Sequence, residues 1–191
     1  FPSQLPLHDD SYIARDYEKE KAIALLGECG YGPDKPYDIH VRTSQDPRYT
    51  KQFEVMQSQL AEVGVNMTNE KMESGAWFMD VLQAQDYEFN LIPTTIAYLD
   101  CDERYALFHS GEPQNNFGVS DPDLDKALEI NRTSTDLEER RKASADIIRI
   151  MDEKAYVIPL YGSMRGIAYN NAFQGVAPTP GYTNSLNDRL L

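Results

Sequence analysis

Residues 37–65 read YDIHVRTSQDPRYTKQFEVMQSQLAEVGV, and this stretch decides the fold. In its first part, apolar side chains alternate with polar ones, which is typical of a half-buried strand. The alternating apolar residues are Tyr37, Ile39 and Val41, and the polar residues between them are Asp38, His40 and Arg42. The sequence therefore predicts that one side of this strand faces a core.

A helix is predicted directly after this strand. It begins at Asp46-Pro47, because proline suits the first helical position. Apolar residues then recur at three- and four-residue spacing, which places them on one helical face. They are Tyr49, Phe53, Met56, Leu60 and Val63. Gly64 ends this helix, and Val65 and Met67, with Asn69 as a further candidate, share one face of a second short strand.

Upstream of this stretch, the pattern predicts a helix that begins after Asp16, whose carboxylate can accept the amides of the first turn. Its apolar stripe consists of Ala22, Leu25, Leu26 and Cys29, and Gly30 ends it. Because Cys29 lies on this stripe, we expect a buried free thiol. A long-range disulfide to Cys101 is the alternative, although the spacing of the two cysteines carries no signature.

Downstream, the predicted elements are a helix over 75–84, a strand over 87–93 and a helix that begins at Asp121-Pro122. A further helix begins with a box-like cap formed by Asp136 and Glu139. Its stripe is predicted to hold Leu137, Ser144, Ile148, Met151 and Ala155, flanked by Ile147 and Ile150. Strands are predicted over 157–161 and 165–170.

The segment from Thr94 to Gly118 has no clear period. A long loop inside a compact domain is often a binding element. Elsewhere, helices and strands alternate along the chain, which favours an α/β layer structure in which helices cover a sheet.

Composition excludes several classes of function. The chain has 191 residues, 41% of them apolar, and a formal net charge of −13. Such acidity disfavours nucleic acid and anionic membrane surfaces as partners, because both repel negative charge. No apolar run reaches the roughly 18–20 residues that span a bilayer. The opening Phe1-Pro2-Ser3 resembles neither a start methionine nor a signal peptide, so we expect an excised piece of a longer protein.

Five ordered motifs resemble the family 5 extracellular solute-binding proteins of ABC importers. This family includes dipeptide-, oligopeptide- and nickel-binding proteins. The motifs begin near Ala22, Gln57, Asn116, Asp136 and Ile158, and Gly175 follows them. In full they read A-x-x-L-L-x-E-x-G-Y (22–31), Q-x-Q-L-x-E-x-G-V (57–65), N-x-x-x-x-D-P-x-L-D-x-x-L (116–128), D-x-E-E-R (136–140) and I-P-L-Y (158–161).

The resemblance implies a fold and a function. Family members have two lobes that trap a solute between them, so residues 1–191 are expected to form a single domain, the second lobe. In family members the chain returns to the first lobe at its end, and residues from about 172 to 191 are expected to be the start of this return segment. The implied fold is α/β, with a mixed central sheet flanked by helices, as in one lobe of a type II periplasmic-binding-protein fold.

The implied partners are a small-molecule or peptide solute and the permease subunits of an ABC transporter. The implied location is periplasmic or extracellular, with lipoprotein anchoring of the full-length protein as one option.

The resemblance also directs attention to the loop after the third predicted strand. Peptide-binding relatives carry an Arg-x-x-Trp-x-x-Asp pattern there, whose Asp holds the peptide's amino group. The corresponding residues here are Pro93, Ile96 and Leu99, which cannot form that ion pair. The candidate solute contacts are therefore polar or aromatic neighbours, namely Thr94, Thr95, Tyr98, Asp100, Asn116 and Phe117. The alternatives are a solvated acidic loop at Asp100 and a turn cap at Asn116.

No pattern points to catalysis, a cofactor or a metal. The three histidines form no H-x-x-x-H or C-x-x-C arrangement, and the motifs G-x-S-x-G, P-loop and G-x-G-x-x-G are absent from the sequence. Non-catalytic binding is therefore the leading hypothesis. A ligand-sensing domain of a bacterial transcription regulator is the runner-up, and an enzyme on the same scaffold is third.

Overall fold

The computed structural model describes residue 7, residues 15–92 and 102–161, and residues 170 and 172. Its backbone divides into two compact units. One unit is Ile13–Pro93, and the other combines Phe1–Tyr12 with Thr94–Leu191. The assignment of 1–191 to a single domain stays a prediction.

The first unit is built on a strand–helix–strand motif. Strand β1 (Tyr37–Ser44) pairs in parallel with β2 (Val65–Met72), and helix α2 (Pro47–Ala61) connects them. The register places Tyr37 opposite Val65 and Ser44 opposite Met72. These are the elements that the apolar alternation and the helical stripe predicted. Within the described residues the sheet has these two parallel strands, so the mixed character of the predicted sheet stays a prediction.

Helix α2 packs its apolar stripe on the sheet. Tyr49, Phe53 and Val63 are buried, and Met56 and Leu60 are half-buried against the same core. The Asp46 carboxylate accepts the amide of Arg48 at 2.9 Å, with Pro47 in the first turn. A short polar side chain and a proline thus begin this helix as the sequence predicts.

Gly64 turns the chain from α2 into β2. Its φ is +96°, and a Cβ placed there would lie 2.1 Å from the backbone carbon of Gly32. The amide of Tyr37 donates to the Gly64 carbonyl at 2.9 Å, which locks the turn to the start of β1. A side chain is therefore excluded at this position by conformation and by space.

Helix α1 (Lys19–Glu28) differs from its prediction in two ways. It begins after Glu18, without a side-chain cap, so the N-cap predicted at Asp16 is wrong. Cys29 is free and exposed rather than buried, and Leu25 is 53% exposed. The reason is that Ala22 and Leu26, together with Ile23, supply the face that packs on the core, and this face is rotated away from Leu25.

The predicted helix over 75–84 is confirmed, with an unusual second half. Helix α3 (Ser74–Trp77) continues as a π-helix over Phe78–Gln83. Trp77 is buried beside Val81 and Leu82, and its indole N–H donates to the Arg42 carbonyl at 3.1 Å. Trp77 is therefore a core residue of this unit.

The strand predicted over 87–93 is wrong for the part that the structure describes. Residues 87–92 are irregular, although Leu91 is buried in the core around Val41. An apolar run reports burial, whereas a strand also needs a neighbour that accepts its backbone hydrogen bonds. Pro93 lies outside the described residues.

The second unit centres on a helical hairpin. Helix α5 (Pro122–Thr133) packs on α6 (Leu137–Glu153), and α4 (Glu103–Phe108) precedes them. Helix α4 lies inside the segment that was predicted to be a loop, which corrects that prediction. Leu124, Ala127 and Leu128 are buried, and they share a core with Phe108.

Helix α6 buries a different stripe from the predicted one. Ala143, Ser144, Ile147 and Ile150 are buried, whereas Leu137 is exposed and Ile148 is half-buried. The Asp136 carboxylate accepts the amides of Glu138 and Glu139 as predicted. Glu139, however, accepts the Ser134 hydroxyl at 2.5 Å instead of reaching back to the cap amide.

The strand predicted over 157–161 is also wrong, because these residues are irregular in the described part of the chain. Ile158, Leu160 and Tyr161 are exposed there. The strand predicted over 165–170 lies outside the described residues except for Asn170. In the described ranges, no helix is long and apolar enough to cross a membrane.

Candidate functional site

The loop between α4 and α5 carries two of the predicted site residues and is held by a third residue, Asn115. This side chain is 8% exposed. Its amide nitrogen donates to the carbonyls of His109 at 3.1 Å and Val119 at 2.7 Å. Its oxygen accepts the Val119 amide at 3.3 Å. One asparagine thus closes a loop of about ten residues by satisfying backbone groups at both ends.

Further polar contacts brace the base of this loop. The Ser110 amide donates to the Asp125 carboxylate on α5 at 2.9 Å. The hydroxyls of Ser110 and Ser120 lie 3.4 Å apart. His109 stacks on Tyr105, with ring centroids 4.2 Å apart. The loop is therefore attached to both α4 and α5.

Asn116 and Phe117 occupy the outgoing half of this loop. The Asn116 amide donates to the Gln114 carbonyl at 2.8 Å, and the residue is half-buried. The ring of Phe117 stacks on Phe108, with centroids 4.7 Å apart, at the margin of the hairpin core. The structure therefore brings these two predicted site residues together on one braced loop.

The other predicted site residues lie outside the described residues. They are Thr94, Thr95, Tyr98 and Asp100, together with the replaced anchor positions Pro93, Ile96 and Leu99. Sequence reasoning missed Asn115. The sequence feature that indicates it is the Asn-Asn pair shortly before Gly118 in a turn-rich segment. Asparagine side chains in such segments often form hydrogen bonds with nearby backbone groups.

A buried carboxylate, Asp121, is the centre of a polar cluster in the second unit. Its side chain is 2% exposed. It accepts the ammonium group of Lys154 and, at 3.0 Å, the hydroxyl of Tyr156. It also caps α5 by accepting the amides of Asp123 and Leu124. Hydrogen bonding from Lys154 lowers the pKa of Asp121 to about 2.

This cluster fastens the end of α6 to the start of α5. The same contact raises the pKa of the Lys154 ammonium, and desolvation raises the pKa of Tyr156. The carboxylate therefore stays charged, and four protein groups donate to it: the Lys154 ammonium, the Tyr156 hydroxyl and the amides of Asp123 and Leu124. This arrangement links the two helices of the hairpin.

The first unit has an open cleft of about 530 Å³ on the polar side of the sheet. Arg42 ion-pairs with Asp86 at 2.7 Å, and the Tyr37 hydroxyl donates to Glu88 at 3.4 Å. The nearby Glu88 charge raises the pKa of Tyr37. The cleft is lined by His40, Arg42, Glu70, Gln85, Asp86, Tyr87 and Glu88. The opposite charges of Arg42 and Asp86 in this open cleft pair with each other.

The described ranges also bear on metal coordination. There, no three His, Cys, Asp or Glu side chains come together in a way that could hold a metal ion. His40, for example, approaches the Glu70 carboxylate at 3.7 Å, and its other ring nitrogen lies 3.0 Å from the Thr68 hydroxyl. These exposed contacts are cross-strand pairs of the sheet.

With the fold and the loop defined, comparison with known proteins identifies the family. The chain belongs to the bacterial extracellular solute-binding proteins of family 5, because the model of that family's middle region matches residues 1–116. Among curated proteins, it is 27% identical over 170 residues to Di/tripeptide-binding protein 2 of Pseudomonas aeruginosa, covering 84% of this chain and 31% of that protein.

A second curated relative is the periplasmic oligopeptide-binding protein OppA of Haemophilus influenzae. It is 24% identical over 160 residues, which cover 83% of this chain and 29% of OppA. The chain therefore spans about a third of the length of the curated relatives it matches.

Solved structures show the same fold. NikA from Staphylococcus aureus, in complex with Ni(L-His)2, superimposes with a TM-score of 0.69 at 18% identity. The match covers 82% of this chain and 34% of NikA. The described helices and parallel strands thus belong to a fold of the periplasmic-binding-protein type, which the sequence predicted.

Proposed function

We propose that this chain is one lobe of a two-lobed extracytoplasmic receptor, which binds a small solute and delivers it to an ABC importer. The observation that carries this proposal is the family match over residues 1–116. The relatives' names support it, since they describe di/tripeptide- and oligopeptide-binding proteins. The partners are then the solute and the permease subunits, and the location is periplasmic or extracellular.

The proposed binding surface consists of residues from the segment 94–100 together with the Asn115 loop. Its residues are Thr94, Thr95, Tyr98, Asp100, Asn116 and Phe117. Hydroxyl and amide groups predominate, and the anchor positions carry Pro93, Ile96 and Leu99. We propose that this lobe holds its solute by hydrogen bonds and ring contacts, and that it makes no ion pair to a peptide terminus at those three positions. Closure of the lobes excludes water, which strengthens such hydrogen bonds.

The relatives suggest two classes of solute. A short peptide is one class, after the di/tripeptide-binding relative. A histidine complex of nickel is the other, after the NikA complex, and the metal then arrives as cargo. The proposal favours the peptide, because both curated relatives are named for peptides. No chemical step is part of the proposal, so the solute is released unchanged.

Calorimetry on the complete two-lobed protein tests this function. The probes are Ala-Ala, Ala-Ala-Ala and Ni(L-His)2, each titrated into the same preparation. We expect a peptide to bind with one-to-one stoichiometry and to raise the midpoint of thermal unfolding, since a ligand that binds only the folded state stabilises it. Mass spectrometry is expected to recover the peptide intact.

Two results would count against the proposal. Binding of none of the probes would remove its basis, and hydrolysis of the peptide would make the protein an enzyme. The 191-residue chain alone serves as the control. We expect it to bind the same peptide much more weakly, because half of the enclosing surface is missing and the solute stays partly hydrated.

A further inference from the structure

The side chain of Asn115 forms three hydrogen bonds with backbone groups. Its side chain joins the His109 carbonyl at the end of α4 to the Val119 carbonyl and amide before α5. These contacts span the whole loop. Because the residue is nearly buried, losing them would leave backbone groups unsatisfied inside the protein, which is costly.

The rest of the loop is shaped for this closure. Gly111 and Gly118 have φ values of +78° and +64°, which glycine adopts without strain. The backbone amide of Asn115 donates to the backbone carbonyl of Glu112 at 3.0 Å. The backbone amide of Gly118 donates to the backbone carbonyl of Asn115 at 3.4 Å. Asn115 therefore lies between the two glycine turns, near the centre of the loop.

Asn116 lies between two anchored neighbours. Asn115 on one side is held by the loop ends, and Phe117 on the other side stacks on Phe108 of α4. With both flanking side chains fixed, the backbone of Asn116 has little freedom. A contact residue that is already ordered loses less conformational entropy when it meets a ligand.

We propose that Asn115 is the positioning residue of the solute-binding loop. It orders residues 109–119 so that Asn116 meets the solute without a prior change of shape. This inference rests on the proposed function, in which Asn116 contacts the solute. Asn115 itself acts through its neighbour and makes no contact with the solute.

The test compares two buried asparagines in the complete receptor. Asn131 is the matched control, because its amide donates to the Arg140 carbonyl at 3.2 Å and to the Ser144 hydroxyl at 2.7 Å within the hairpin. Asn115→Ala and Asn131→Ala each remove a buried amide. We expect Asn115→Ala to lower the affinity for Ala-Ala about tenfold and Asn131→Ala to leave it within about twofold.

A double-mutant cycle separates positioning from simple loss of stability. If Asn115 acts through Asn116, then Asn115→Ala should weaken binding little further once Asn116 is alanine. Independent, multiplicative effects of the two substitutions would overturn the proposal. Equal effects of Asn115→Ala and Asn131→Ala on affinity would overturn it as well.

Amide hydrogen exchange on the receptor gives a readout that needs no solute. We expect Asn115→Ala to speed exchange at Val119 and Gly118 while the α5 and α6 amides keep their protection. Retained protection at Val119 would show that Asn115 does not order the loop and would overturn the proposal. Should Asn115→Ala fail to fold, Gly118→Ala strains the same loop at its positive φ and is expected to lower affinity likewise; unchanged affinity would count against the proposal.

The two proposals fail in different ways. A wild-type receptor that binds no probe removes the proposed function, and the role of Asn115 falls with it. A wild-type receptor that binds Ala-Ala, with Asn115→Ala binding as tightly as wild type, leaves the function standing and overturns the role of Asn115 alone.

Discussion

The strand–helix–strand motif of the first unit and the α5–α6 hairpin of the second are built on different interactions. The first buries the apolar side chains of β1, α2 and β2 and a close backbone approach at Gly64. Both regions also bury polar side chains, namely Thr43 and Ser44 in the first and Asn131 and Ser144 in the second, but the second adds a buried charged residue, Asp121. Among the described residues, Asp121 is the buried carboxylate. The stability of the first region therefore depends on close packing, and the stability of the second also depends on a buried charge.

The difference affects how each region should fail. Close packing tolerates no added volume, so the strand–helix–strand motif is vulnerable to steric substitutions. A buried ionised group needs its partners, so the hairpin is vulnerable to substitutions that remove them and to acid.

Gly64→Ala should break the first region. Its Cβ would meet the Gly32 backbone at 2.1 Å in a conformation that disfavours side chains. We expect a loss of about 3 kcal/mol in the free energy of unfolding, from strain and displacement together. Urea unfolding monitored by Trp77 fluorescence measures this loss, because Trp77 lies in the same unit.

Gly27→Ala is the control for that substitution. Gly27 lies inside α1, and a Cβ there would meet nothing within 4 Å. Because alanine favours a helix over glycine, we expect a gain of about 0.5–1 kcal/mol. Equal losses at the two glycines would contradict the close approach at Gly64.

Asp121→Ala should break the second region. It leaves Lys154, Tyr156 and the first amides of α5 without their shared acceptor. We expect the free energy of unfolding to fall by about 2–3 kcal/mol, at the lower end for a buried ion pair because Lys154 is partly exposed. Thermal unfolding followed by circular dichroism measures it.

Asp136→Ala is the matched comparison, since Asp136 caps α6 with the same two kinds of amide contact but is exposed. Loss of an exposed cap costs about 1 kcal/mol. If the two aspartates proved equal, the ion pair to Lys154 would contribute nothing beyond capping.

Acid should distinguish the two regions further. The pKa of Asp121 is lowered from 3.8 to about 2 in the folded chain, so its stabilisation is complete above pH 3.8 and is lost as the pH falls towards 2. We expect the urea midpoint of wild type to fall between pH 5 and pH 2.5 more steeply than that of Asp121→Asn. Parallel pH profiles would be incompatible with this linkage.

Asp46 provides the comparison in the first unit. Hydrogen bonds from Arg48 lower its pKa to about 2 as well, and the direction of the linkage is the same. The pair is exposed on the surface, where water and salt screen it. Asp46→Asn should therefore flatten the acid profile less than Asp121→Asn does.

Cys29 should give the smallest effect on stability. Because the thiol is exposed at the end of α1, Cys29→Ser is expected to change the free energy of unfolding by less than about 0.5 kcal/mol. The folded wild-type chain should react with a thiol reagent at the rate of an accessible cysteine. If the Cys29 thiol reacted only after the chain unfolds, the thiol would be buried, as the helical stripe predicts.

Local patterns predicted the first unit well because its chemistry repeats along the chain. Alternation at Tyr37, Ile39 and Val41 marked β1, and the stripe from Tyr49 to Val63 marked α2. The same method misplaced the buried faces of α1 and α6. Each of those helices offers two adjacent apolar faces, and packing selects one of them.

The candidate site was less accessible to sequence reasoning. Asn116 and Phe117 were found through the resemblance, whereas Asn115 was missed, since its role depends on carbonyls at His109 and Val119. Asp121 was expected to begin a helix, but its bonds to Lys154 and Tyr156 join residues more than thirty positions apart. No local pattern encodes such a contact.

The sequence by itself determined the alternating elements, the helix starts at Asp46, Asp121 and Asp136, and the family to which the chain belongs. These features arise from periodicity, from caps within three residues and from ordered motifs. Tertiary structure alone decided which helix face is buried, that residues 87–92 are irregular rather than a strand, and that Asp121 and Asn115 bond to distant residues. Burial and hydrogen bonding between remote segments depend on how the chain packs in space, and a linear pattern does not specify that.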